Sequence, residues 1–209
     1  MSTPTLDRVV IRFAGDSGDG MQLVGDRFTD LSAAFGNDLA TLPNYPAEIR
    51  APAGTINGVS SFQIHISDHD IVTPGDSPNV LIAMNPAALV ANVSDLSPGS
   101  TIIVNSDSFT ERDLDKAHCS ANPLDDGSLD AFTVYPVPMT SITLEATKPL
   151  GVKSRDAERS KNFFALGLIC WMYTRPAAPL LEWIDDRFAG KPLVRDANAA
   201  AFKAGRNFG

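Results

Sequence analysis

Val9-Val10-Ile11-Arg12-Phe13-Ala14-Gly15-Asp16-Ser17-Gly18-Asp19-Gly20-Met21 is the stretch that decides the fold class. Val9 to Phe13 is a short, β-branched run that ends in Gly15 and reads as a strand. Gly15 to Gly20 is rich in turn formers. From Met21 the apolar residues Met21, Val24, Phe28, Leu31 and Phe35 recur at helical spacing, and Gly36-Asn37 is a stop signal. Strand, Gly-rich loop, helix is the first step of a doubly wound sheet. The expected class is therefore α/β: Rossmann-like, with a mostly parallel sheet flanked by helices and a helical C-terminal part.

Working outward, Leu42 to Gly58 is rich in Pro, Asn and Gly and reads as a loop. Ser61-Phe62-Gln63-Ile64-His65-Ile66 alternates and reads as a half-buried strand. Val80 to Met84 is a continuous apolar run, as expected of a strand buried on both faces. Pro86 suits a first helical turn, with Ala87 to Val93 helical behind it. Thr101 to Val104 follows the turn Ser97-Pro98-Gly99 as another buried strand, and Phe132 to Val137 is the expected last one. The remainder reads as helical: Ser141 to Lys148, one long helix from Asp156 to Tyr173, Pro179 to Phe188, and an Ala-rich stretch from Asp196 to Lys203.

Composition narrows the function classes. The 209 residues carry a formal net charge of −8, with 44% hydrophobic and 20% charged residues. These values suit one large globular domain, or one domain with an appendage. Nucleic-acid binding needs clustered Lys and Arg, so no nucleic-acid partner is expected. No apolar stretch approaches the roughly 20 residues of a membrane span, so no membrane partner is expected either. Met1 to Asp7 is polar and does not read as a signal peptide. Cys119 and Cys170 form no CxxC pair. An iron–sulfur cluster takes about four thiolates, so this chain alone is not expected to hold one. Sparse cysteine fits a reducing cytoplasm. The ending Arg206-Asn207-Phe208-Gly209 reads as the edge of a domain within a longer polypeptide.

The Gly-rich loop is the first candidate site. Gly15, Gly18 and Gly20 permit tight turns and close backbone approach, and a helix N-terminus offers N–H groups to an anion. Asp16 and Asp19 would repel a phosphate unless they point away, cap the helix or meet a metal. The spacing is neither GxGxxG nor a P-loop, because no Lys follows. On pattern alone a structural turn and a phosphate or nucleotide contact both remain open. Gly18-Asp19-Gly20 also resembles the start of a thiamine diphosphate motif. Asn44, however, is followed by Tyr45 and not by a second Asn, so thiamine binding by this chain is not expected.

A longer series of residues is more specific than the glycines. In order it runs Asn44-Tyr45-Pro46-Ala47-Glu48-Ile49-Arg50, Pro52, Gly54, Gly58-Val59-Ser60 and Phe62-Gln63. It continues through Thr73-Pro74-Gly75-Asp76 and Ala83-Met84-Asn85-Pro86-Ala87-Ala88-Leu89 to Arg159, Lys161-Asn162, Ala165-Leu166-Gly167 and Ala197-Asn198. From Val9 to Gly209 the chain resembles the gamma domain fused to the N-terminus of the alpha subunit in 2-oxoglutarate:ferredoxin oxidoreductases. The resemblance implies an enzyme that oxidatively and reversibly decarboxylates 2-oxoglutarate to succinyl-CoA with ferredoxin as electron acceptor. It implies thiamine diphosphate, magnesium and an iron–sulfur cluster in the beta portion, and a Rossmann-like gamma domain that handles coenzyme A. It further implies a gamma-type domain over 1–190 and, over 191–209, the start of a linker towards an alpha pyrimidine-binding domain. Related gamma domains often carry GxGGxG, where this chain has Gly15 to Gly20. They also often carry Tyr-Gly-x-Glu-x-Arg-Gly-Gly, where it has Tyr45 to Pro52.

The residues expected to meet coenzyme A are Gly15, Asp16, Ser17, Gly18, Asp19, Gly20, Met21, Arg50, Asn85 and Pro86. Arg50, two positions from Glu48, either meets an anionic group or a facing subunit, or forms a surface ion pair. Asn85 either contacts a ligand at the carboxyl end of its strand or caps the helix behind it. Ser17 either donates to a phosphate or stabilises its own turn. His65, His69 and His118 lack metal-ligand spacing, and His65 is expected to be satisfied or solvent-facing. Cys170 is expected in the core. No catalytic residue and no metal site are expected in this chain. Two other classes stay open: a purely structural domain that braces subunits, and a stand-alone nucleotide-binding protein.

Overall fold

The computed structural model describes residues 7–34, 36–48, 51–74 and 77–209. The chain divides into two compact units, one of Met1–Val104 with Ser108–Pro136 and one of Asn105–Asp107 with Val137–Gly209.

In the first unit the elements are β1 (Arg8–Asp16), α1 (Met21–Ala33), β2 (Asp38–Asn44), β3 (Val59–Ser67), β4 (Val80–Ala83), α2 (Pro86–Asn92), β5 (Thr101–Asn105), α3 (Glu111–Lys116) and β6 (Thr133–Val137). The six strands form one sheet in the order β2-β3-β1-β4-β5-β6. β1, β4 and β5 are parallel neighbours, whereas β3 runs antiparallel to both β1 and β2. β1, β2, β4 and β5 therefore share one direction, and β3 is inserted against it. The expected α/β class with a mostly parallel, helix-flanked sheet holds. β1 is the centre of this sheet because its residues can be buried on both faces. Ile11 and Phe13 are fully buried, and the Phe13 ring meets Phe28 of α1 edge-on at 6.2 Å between centroids.

Two local expectations need correction. The stretch read as a loop from Leu42 begins inside a strand, β2. Its sequence has one β-branched residue and a proline, so it carries little strand signal. Pro43 is tolerated because β2 is the sheet's outermost strand, where a missing N–H breaks no ladder. β3 was expected to be half-buried, yet all nine of its residues are buried. The alternation is genuine, but the polar face is roofed by backbone carbonyls instead of water. Gln63 Nε2 donates to the Pro74 carbonyl at 2.8 Å, and His65 Nδ1 lies 3.3 Å from the Thr73 carbonyl. Phe35, the last apolar residue of the α1 pattern, lies outside the described residues, as do Gly75 and Asp76.

The second unit is helical, with α4 (Met139–Thr147), α5 (Ser154–Glu158), α6 (Lys161–Met172), α7 (Ala178–Arg187) and α8 (Pro192–Phe208). The long helix expected from Asp156 is two. Between α5 and α6 the chain tightens through bonds from Ser160 N–H to the Ala157 carbonyl and from Phe163 N–H to the Ser160 carbonyl. The Ser160 hydroxyl donates to Asn198 Oδ1 at 2.7 Å, a buried bond that fixes the break. α6 is buried along Asn162–Cys170, and Phe163 packs with Trp183 and Phe188. Residues 192–208, within the stretch read as a linker, form α8. Asn105 and Asp107 belong to this unit because they accept the Thr140 and Ser141 backbone N–H groups at the start of α4, at 3.3 and 2.7 Å.

Candidate functional site

β1 delivers its carboxyl end at Gly15-Asp16, and the chain turns through Ser17, Gly18 and Asp19 into Gly20. Gly20 sits in the left-handed region (φ 72°), which a side chain would disfavour, and hands directly into α1 at the buried Met21. Asp19 Oδ2 accepts the Asp16 N–H at 3.1 Å, and the Asp19 N–H bonds back to the Asp16 carbonyl at 2.9 Å. Both carboxylate oxygens of Asp16 accept the Gly54 N–H at 3.0 Å. The Ser17 N–H donates to the Gly58 carbonyl at 3.1 Å. Both acidic side chains are therefore turned onto backbone donors. A side chain at Gly15 would crowd this arrangement, since a Cβ there would lie 3.0 Å from Asp19 Oδ2 and 3.2 Å from Met21 Cγ.

The two carboxylates precede α1 without capping it. Its first turn contains no acidic residue, and Gly20 has no side chain to cap it. The positive end of the helix dipole and the first-turn N–H groups are left for an anion. A Cβ at Gly18 would meet nothing within 4 Å, so this position borders open space.

Beside β1 runs β4, with Ala14 opposite Ala83, and its chain leaves the sheet on the same edge. Asn85 Oδ1 accepts the Ala88 N–H at 2.8 Å, and Pro86 occupies the first turn of α2. Of the two readings of Asn85, helix capping is realised. The following strand lies to one side of β1 after α1 and to the other side after β3, so the Gly-rich loop and Asn85 meet at a topological switch point. Ligands of open α/β sheets bind there. The fold thus brings together Gly15, Asp16, Ser17, Gly18, Asp19, Gly20 and Met21 on one strand end, and Asn85 and Pro86 on the next. Arg50 lies outside the described residues.

Sequence reasoning missed three contributors. Gly54 (φ +85°) supplies the N–H that holds Asp16. Gly25 lets α1 sit against β3, because a Cβ there would lie 2.1 Å from the Phe62 ring. Gln22 Nε2 ties α1 to β2 and β3 through the Asn44 and Ser61 carbonyls at 3.2 and 2.9 Å. A glycine five positions after Gly20 on the inward face of a helix was the available signal for the second. The other two depend on contacts across 22 to 39 residues and leave no local trace.

A cleft of about 320 Å³ lies on the polar face of β3, lined by Arg12, Asn44, Ser61, Gln63, Asn92 and Asp95 among others. Arg12 spans it, donating to Gln63 Oε1 at 3.0 and 2.8 Å and to Asn92 and Asp95. The Gln63, Asn92 and Asp95 side chains all bond to this one guanidinium. Among the described residues no cluster of three or more His, Cys, Asp or Glu could hold a metal ion, and no helix is long and apolar enough to cross a membrane. Burial pushes the Cys170 thiol up to about 12, and burial with the nearby Asp126 raises Cys119, so neither thiol is activated.

Comparison with known proteins agrees with this architecture. Residues 10–208 match the family model for pyruvate ferredoxin/flavodoxin oxidoreductase. The chain is 59% identical to the 2-oxoglutarate oxidoreductase subunit KorA of Mycobacterium tuberculosis over 98% of its own length, but spans only 31% of that subunit. It superposes with a TM-score of 0.74 and 25% identity on the 2-oxoglutarate:ferredoxin oxidoreductase of Magnetococcus marinus, solved with 2-oxoglutarate, coenzyme A and succinyl-CoA bound; 97% of this chain and 31% of that one are covered. The pyruvate oxidoreductase subunit PORC of Thermotoga maritima shares the fold, with a TM-score of 0.63 at 19% identity over 97% of both chains. With its glycine loop at the switch point of the sheet and a family match running almost end to end, the chain belongs to the pyruvate ferredoxin/flavodoxin oxidoreductase family.

Proposed function

We propose that this chain is the coenzyme-A-handling, gamma-type part of an enzyme that oxidatively and reversibly decarboxylates 2-oxoglutarate to succinyl-CoA and passes the electrons to ferredoxin. The substrate class rests on the 59% identity to a 2-oxoglutarate oxidoreductase subunit. The coenzyme A role is carried by one observation: the Asp16 and Asp19 carboxylates are engaged by backbone N–H groups, so the start of α1 can receive a phosphate. Main-chain N–H groups bind an anion without formal charge, which suits a chain of net charge −8.

Thiamine diphosphate, magnesium and the iron–sulfur cluster belong, on this reading, to a beta subunit. Two cysteines, one of them fully buried, do not make the thiolate set a cluster needs. An alpha pyrimidine-binding domain is the other partner, and ferredoxin docks transiently on the complex. The enzyme works in the cytoplasm, where its thiols stay reduced. This chain's part is to bind and orient coenzyme A, while bond breaking occurs elsewhere.

The bonds between the Gly-rich loop and the 54–58 segment favour a second reading, in which the loop only braces the fold. Titration of coenzyme A into the intact complex separates the two. Gly18→Asp places a negative charge where a side chain meets no neighbour. Lost affinity with an unchanged unfolding midpoint supports the coenzyme A role. Unchanged affinity supports bracing.

A further inference from the structure

We infer that Lys116 of α3 supplies the positive charge of this loop and contacts a phosphate group of coenzyme A; the inference rests on the coenzyme A reading above. α3 follows β5, the strand beside β4, and its last residue lies beside Gly54. The Lys116 stem lies over Gly54, where a Cβ would come within 3.1 Å of Lys116 Cδ and 3.5 Å of its Nζ. Gly54 is the residue whose N–H is held by Asp16 at 3.0 Å, so the Lys116 side chain borders the residue to which the loop is fastened.

The alternative partner of Lys116 holds it loosely. Asp113 Oδ1 is 3.3 Å from Nζ, in an i,i+3 pair whose side chains are 30% and 29% exposed. Asp113 is independently employed at the start of α3. Its other oxygen accepts the Thr110 hydroxyl at 2.9 Å, and its N–H donates to Thr110 Oγ1 at 3.3 Å. Lys116 can therefore turn from Asp113 to a phosphate without unmaking the cap of α3. A four-carbon stem with rotatable donors suits this movement better than a rigid fork would. Asp16 and Asp19 make a nearby cation useful, because they leave net negative charge beside an anion site.

The test uses the intact complex, with coenzyme A and 3′-dephospho-coenzyme A as titrants. Lys116→Gln is expected to weaken coenzyme A binding roughly tenfold, as loss of one charge-assisted contact does. Lys116→Arg should restore most of it, and the gap should narrow at high salt. If the loss persists with the dephospho compound, the contact is to the diphosphate; if it vanishes, the contact is to the 3′-phosphate. Either supports the inference. Should Gly18→Asp abolish binding while Lys116→Gln binds like the parent, the inference is overturned and the coenzyme A reading stands. If neither variant changes affinity, that reading fails and the inference falls with it.

Discussion

Asp16 grips Gly54 with both carboxylate oxygens at 3.0 Å, across 38 residues of sequence. The end of the central strand is thereby fastened to the Pro- and Gly-rich segment before β3. The same bond settles which way one of the loop's two acids faces. A carboxylate that would oppose an anion in solution is converted into an internal acceptor.

Removing that acceptor should loosen the edge. Asp16→Ala leaves the Gly54 N–H without its carboxylate and is expected to cost about 1–3 kcal/mol. Asp16→Asn keeps one carbonyl oxygen and should cost less. Urea unfolding of the parent and both variants measures the order. Equal stability of all three would show that the bond is replaced by water at no cost.

Asn85 permits a similar separation of roles. Its Oδ1 accepts the Ala88 N–H at 2.8 Å, so Asn85→Ala should cost about 1 kcal/mol of stability through the lost cap. Asn85→Asp keeps the acceptor and places a negative charge at a helix N-terminus, so it should be nearly as stable as the parent. A drop in the melting temperature of the Asp variant as large as that of the Ala variant would mean that the amide Nδ2 matters more than the cap.

The parts of this fold that follow from local pattern were readable before any coordinates. Val9 to Phe13, the helical spacing from Met21 and the apolar runs at Val80 and Thr101 each announce their element, because burial on one face or two fixes a period. β2 was hidden, since an edge strand needs neither continuous apolar residues nor every N–H. β3 was legible as a strand but not in its burial, because Thr73 and Pro74 carbonyls meet its polar face. The loop could be located but its electrostatics could not, because the direction of Asp16 depends on Gly54 and that of Asp19 on a 3.1 Å contact with the Asp16 N–H.

In the helical unit, glycines set the closest approach. A Cβ on Gly167 of α6 would lie 2.1 Å from the Phe202 carbonyl oxygen, and one on Gly205 of α8 would lie 2.0 Å from that of Phe164. Backbone cannot rotate away as a side chain can, so the helices must separate. Gly167→Ala and Gly205→Ala are each expected to cost about 3 kcal/mol or more by overpacking. Because both act at one crossing, the double variant should cost less than their sum. Gly190→Ala, with no atom within 4 Å of its Cβ, should lie within about 0.5 kcal/mol of the parent. Thermal unfolding of the four variants tests the ranking, and additive losses would argue that the two glycines serve separate contacts.

The same unit should be sensitive to alkali. Burial raises the Cys170 thiol from 9.0, and the Tyr173 phenol from 10.0, each to about 12. Both groups are neutral in their protonated form, so the folded state holds their protons more tightly than the unfolded chain. Between pH 9 and 12 the unfolded state then binds fewer protons, and stability falls as pH rises. Below pH 9 both states are protonated at the two sites, and these groups add no slope. Urea midpoints should be flat in this contribution up to pH 9 and decline above it. Tyr173→Phe should remove the phenol's share, and Cys170→Ala the thiol's. A decline equally steep in the double variant would assign the alkaline sensitivity to other groups. Native Cys170 should also resist thiol reagents at pH 8, where only about one molecule in ten thousand carries the thiolate, and should react once urea opens the α6 core.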